Sequence, residues 1–158
     1  MITRILASLG RQVRALELLE ELLGEEFSLL AKRDAQGVTS LEFSIQELLR
    51  QIAGERTGLY TLYAAMEPSA KRLADLIDRF DDEARAAADG FLAAIERLEK
   101  RCSALASRNY QMALGLYDTT KNCLDYLQSH LIPKKSVYGS RGRVDPAMPA
   151  PGRVDGRC

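Results

Sequence analysis

Apolar residues recur at alternating steps of three and four along almost the whole chain, and this pattern limits the fold more than any other feature. Over residues 2–35 the positions are Ile2, Ile5, Leu9, Gln12, Leu16, Leu19, Leu23, Glu26 and Leu30, and seven of the nine are apolar. That is the seam of an antiparallel helical bundle or coiled coil. A second seam runs through Leu41, Ile45, Leu48, Ile52, Glu55, Leu59, Leu62 and Met66, with Glu55 as its one polar position. A third starts at Leu73 and continues through Ile77, Phe80, Ala84, Ala87, Phe91, Ala94, Leu98, Cys102, Leu105, Asn109, Met112, Leu116, Thr119, Cys123, Tyr126 and His130. Strands alternate with period two and cannot carry this spacing. The fold class is therefore all-α: an elongated antiparallel bundle of three or four long helices.

The breaks between the seams mark the reversals. Gly37 is a plausible left-handed stop for the first helix. Thr39-Ser40-Leu41-Glu42 reads as a capping box that restarts the chain, so Gln36–Thr39 is expected to be the first turn. Pro68 places the second reversal, since the residue before proline resists the helical region. The third seam meets no proline until Pro133. One helix of roughly 60 residues would be about 90 Å long, about twice the reach of the first helix. It either overhangs or breaks near Gly90 or Ser103–Ser107, and both readings stay open. Six glycines fall inside expected helices (Gly10, Gly24, Gly54, Gly58, Gly90 and Gly115), either simply tolerated or softening the bundle toward a partner.

From Pro133 the apolar period stops. The segment holds four of the five prolines and four of the eleven glycines, with GRVD at Gly142–Asp145 and again at Gly152–Asp155. The expected organisation is a helical domain over 1–132 and a flexible basic tail over 133–158. Charge divides in the same place. The chain has 22 basic and 22 acidic side chains, but the tail carries six basic against two acidic and the remainder is correspondingly acidic. A balance of zero argues against a nucleic-acid binder.

Catalysis and metal binding find few residues to work with. The chain has one histidine, His130, and no tryptophan, and it contains none of the phosphate-loop, dinucleotide, nucleophile-elbow or zinc-protease motifs. No enzyme activity, metal site or cofactor is expected. Cys102 and Cys123 would lie roughly 31 Å apart on one helix, too far for a disulfide, so the three cysteines suit a reducing compartment. The amino-terminal segment is interrupted by Arg4 and Arg11 and reads as neither a signal peptide nor a membrane span. A cytoplasmic protein without membrane insertion is expected.

The end of the third seam is the candidate functional surface. Tyr110, Leu114, Tyr117, Leu124 and Leu131 repeat on a face beside Met112, Leu116, Cys123 and Leu127. An arc that wide either lies at the centre of a core or offers a groove to another helix. Asn109 sits on the seam itself, where a polar residue sets register or meets a partner. Tyr138, in Lys-Lys-Ser-Val-Tyr-Gly, is either an incidental exposed aromatic or a short docking motif.

These residues resemble the FlgN-like chaperones of flagellar type III export. The likeness covers most of the chain. It rests on Leu22-Leu23-Gly24-Glu25-Glu26-Phe27-Ser28-Leu29-Leu30, on Leu48-Leu49-Arg50-Gln51-Ile52, on Arg108-Asn109-Tyr110-Gln111-Met112-Ala113-Leu114, and on Tyr138-Gly139 with Gly142. The long Pro/Gly tail and the aromatic stretch Thr57–Met66 depart from it. The resemblance implies a cytosolic chaperone that binds the C-terminal helical segment of hook-associated junction proteins and delivers them to the export gate, with no nucleotide of its own. It implies that Asn109, Tyr110, Met112, Ala113, Leu116, Tyr117, Leu124 and Leu127 hold the cargo helix, and that Tyr138 meets the cytosolic domain of the gate. The alternative is a structural coiled coil, or a bundle that satisfies its own apolar arc by self-association. Oligomeric state is left open by the sequence.

Overall fold

The structure, a computed structural model, describes residues 1–131. Among them stand three long helices, α1 (Ile2–Ala31), α2 (Ala35–Met66) and α3 (Asp82–Leu131), with a short 3-10 segment at Leu73–Arg79. No strand occurs among the described residues. The all-α bundle expected from the seams is what forms. The chain divides into two units, Met1–Leu114 and Gly115–Cys158. The tail with its GRVD repeat, Tyr138 and Cys158 lies outside the described residues.

In the first unit α1 and α2 form the closely packed antiparallel pair. Their turn is tighter, and earlier, than Gln36–Thr39. Lys32 ends α1, and Arg33 takes a left-handed φ of 58°. The Arg33 N–H donates to Leu30 O and the Asp34 N–H to Leu29 O, each at 3.0 Å, which satisfies the last carbonyls of α1. Those bonds offset the cost of a left-handed arginine, so no glycine is required there. Asp34 then caps α2 by accepting from the Gly37 N–H at 2.9 Å. Gly37 is thus a first-turn residue of α2 and not the stop of α1. A Cβ there would lie 2.7 Å from Asp34 Oδ2, so a larger residue would require the Asp34 side chain to shift. Thr39 is already helical and donates to Ala35 O, which removes the expected capping box.

Pro68 ends α2 as expected, with Glu67 extended at φ −150° and ψ 112°. The next seam residues do not begin a long helix. The Asp75 carboxylate accepts from the Lys71 and Arg72 N–H groups at 2.9 and 3.0 Å, and those bonds hold its pKa below the ordinary value. They tie the chain into the 3-10 segment, where three residues per turn bring Leu73 and Leu76 to one buried face and leave Ile77 half-buried. Arg79 fastens this segment to the end of α2 through Met66 O and Glu67. Phe80 is extended, and Asp81 opens α3 by accepting from the Ala84 N–H at 2.7 Å. Asp82 and Glu83 complete an acidic first turn that suits the positive helix end. The interruption therefore falls at residues 80–81, and α3 passes unbroken through Gly90 and Ser103–Ser107.

The core separates into two apolar clusters. One gathers Ile5, Leu9, Leu59, Tyr63, Leu73, Leu76 and Phe80 around the 3-10 segment. The other gathers Leu16, Leu19, Leu23, Ile45, Leu48, Ile52, Leu98 and Cys102. Each fully buried side chain of this size contributes about 1.5–3 kcal/mol. Buried Ser8 and Gln12, with Glu55, form a polar layer in the α1–α2 pair. Glu55 accepts from Ser8 Oγ at 2.9 Å and from Arg11 at 2.8 and 2.9 Å. The guanidinium of Arg11 is the main reason the Glu55 carboxyl lies below its usual range. Tyr63, buried beside this layer's apolar neighbours, has its phenol pushed up to about 12 by loss of water.

Candidate functional site

The helix α3 supplies the candidate site, and its residues differ by unit. In the first unit it turns Ala88, Leu98, Cys102 and Asn109 inward. The Cys102 thiol lies 3.6 Å from Leu16 O, and burial pushes its pKa up. Asn109 is 3% exposed. Its amide donates to Leu23 O and to Glu26 Oε2, both at 2.7 Å, while its Oδ1 has no partner among the described residues. Next to it the Arg108 guanidinium stacks 3.7 Å above the Phe27 ring. Glu26 and Asn109 are two of the polar exceptions on otherwise apolar seams, and they meet each other.

The same helix faces open a cleft of about 340 Å³ beside Asn109. Its lining includes Leu23, Ile45 and Ala113 together with Glu26, Glu42 and Tyr110. Tyr110 is 69% exposed, Ala113 is exposed, and Met112 is half-buried.

In the second unit, Leu116 is half-buried and every residue from Tyr117 to Leu131 is exposed. These include Tyr117 at 64%, Leu124 at 52% and Leu127 at 39%. Tyr126 and Leu131 are exposed to a similar degree, and so is Leu114 at the end of the first unit. Scattered exposed leucines are ordinary; here exposed leucines and tyrosines recur along one helix. Thr119 and Thr120 return their hydroxyls to Gly115 O and Leu116 O, so their polar groups are satisfied within the helix.

Of the residues named from sequence, Asn109, Tyr110 and Ala113 come together at the cleft, and Tyr117, Leu124 and Leu127 are exposed on the later turns. Tyr138 lies outside the described residues. Glu26 and Glu42 were missed as site residues. The signal for Glu26 was present, because it and Asn109 both interrupt apolar seams. Glu42 carried no signal beyond the capping box to which it was assigned.

Among the described residues no group of three His, Cys, Asp or Glu side chains is placed to hold a metal. Among them, too, no helix is long and apolar enough to cross a membrane. No curated protein and no solved structure matches the chain. A family match does exist, described as FlgN protein, and it extends over residues 1–146. Nearly the whole chain is covered, including both helices that meet at Asn109 and the exposed turns after it. The chain belongs to the FlgN protein family, a family of flagellar export chaperones.

Proposed function

We propose that this protein is a cytosolic export chaperone that holds the C-terminal helical segment of a hook-associated junction protein and hands it to the flagellar type III export gate. The observation that carries this reading is the exposed apolar run of α3, with Tyr117, Leu124, Tyr126, Leu127 and Leu131 all open to solvent. An amphipathic helix laid on these side chains would remove them from water at about 25 cal/mol per Å², against the cost of ordering the cargo. Tyr110, Met112, Ala113 and Leu116 extend the same apolar character into the preceding turns. Asn109 is given a supporting role, because its amide is already engaged with α1. Tyr138, in the basic tail 133–158, is the group assigned to the gate.

Leu124→Asp tests the reading. It should abolish capture of the junction protein's C-terminal segment in a pull-down while the circular dichroism of the isolated chaperone stays helical. Retained capture, or a loss of helicity, overturns the reading. The same run of exposed side chains also fits a second copy of the chain, and sedimentation separates the cases: a stable oligomer that cargo fails to dissociate favours self-association.

A further inference from the structure

We propose that the cleft at Asn109 is a socket for one basic side chain, an arginine or lysine, carried by the bound cargo helix. Its oxygens point to that chemistry. Glu26 and Glu42 both line the cleft, and among the described residues the buried Asn109 Oδ1 beside them has no donor. Six arginine or lysine to carboxylate pairs form among the described residues, and neither Glu26 nor Glu42 belongs to any of them. Among the described residues the site therefore gathers acceptors and lacks a cation.

The lining also includes the apolar side chains of Leu23, Ile45 and Ala113. A mixed lining of this kind fits a long side chain whose methylene stem lies on carbon while its charged head reaches oxygen. A metal ion is poorly served, because among the described residues no third His, Cys, Asp or Glu joins the two carboxylates. A guanidinium brings five donors in a planar fork, enough for both carboxylates. Tyr110, exposed at the rim, offers a ring face to the same cation.

This inference rests on the chaperone reading and adds the chemistry that sets cargo register. An apolar stripe alone lets a helix slide by a turn, whereas a charge that must find two carboxylates fixes its position.

The test titrates a fluorescently labelled C-terminal helical segment of the junction protein against the full-length chaperone at low and high salt. Glu26→Gln with Glu42→Gln should weaken binding about tenfold and remove most of its salt dependence. Glu42→Lys should weaken it further, and replacing one arginine or lysine of the segment by glutamate should restore it. Unchanged affinity in the double glutamine variant overturns the socket, and so does a segment in which no single cation is coupled to Glu42. Should Glu26→Gln disturb folding, Glu42→Gln alone decides, since Glu42 is exposed and makes no side-chain bond among the described residues. Leu124→Asp separates the two failures. Binding lost with Leu124→Asp but kept in the glutamine variants removes the socket and leaves the chaperone reading. Binding kept in every variant removes both.

Discussion

Residues 82–109 and 117–131 belong to one helix and continue one seam, yet the first stretch buries Ala88, Leu98, Cys102 and Asn109 and the second buries nothing. Tyr126 and Leu98 stand on the same three-and-four repeat, one exposed at 62% and the other at 4%. The difference teaches that a helical period specifies which face is apolar and is silent about what covers it. In the first stretch the cover is α1 and α2 of the same chain. For the second, the reading developed above assigns the cover to a helix from another protein.

The two cysteines make the sharpest test of this contrast. Cys102 is buried at the carbonyl of Leu16 with its thiol pKa raised, whereas Cys123 is exposed. In a Cys158→Ser background a thiol reagent should modify Cys123 in the native protein and reach Cys102 at least about a thousandfold more slowly, through opening of the bundle. Comparable rates would erase the distinction between the stretches. Truncation gives the next largest effect. Leu98→Ala should cost about 2–5 kcal/mol of unfolding free energy in urea, while Leu124→Ala should stay within about 0.5 kcal/mol. A large loss for Leu124→Ala would mean that its face is already packed in solution. Asn109→Asp sharpens the comparison where the buried stretch ends. It replaces a donor by a carboxylate against Leu23 O and Glu26, and should cost about 2 kcal/mol at neutral pH. That loss should shrink in acid, where a protonated carboxyl donates again.

Much of the fold was legible because a seam is a strong, repeated signal. Ile5, Leu9, Gln12, Leu16, Leu19, Leu23 and Leu30 are buried as their spacing requires. On α2 the seam drifts by one residue, and Tyr63 takes the interior in place of Leu62. The turns were harder to read, since they depend on single hydrogen bonds rather than on repetition. Gly37 looked like a helix stop, but the stop is Arg33 held by two backbone bonds, and the glycine serves the Asp34 cap. The start of α3 was hidden for a related reason. Leu73, Leu76 and Phe80 suit a 3-10 turn as well as an α-helix, and the deciding groups are the carboxylates of Asp75 and Asp81. At the candidate site the exposed turns were visible as an apolar arc. The cleft was not visible, because Glu26, Glu42 and Asn109 come from three helices and only packing unites them.

The polar layer of Ser8, Arg11 and Glu55 has a consequence for how the chain assembles. Two helices with repeating leucines have several alignments of nearly equal apolar contact, one for each slide of seven residues. Among these, only the native one sets Ser8 and Arg11 against Glu55. A slide of seven one way would set that carboxylate against Ala15 and Leu18 with no donor to meet it, and the other way Arg4 would replace Arg11 but Met1 would replace Ser8, so the misaligned hairpins that a pure leucine seam would populate are disfavoured.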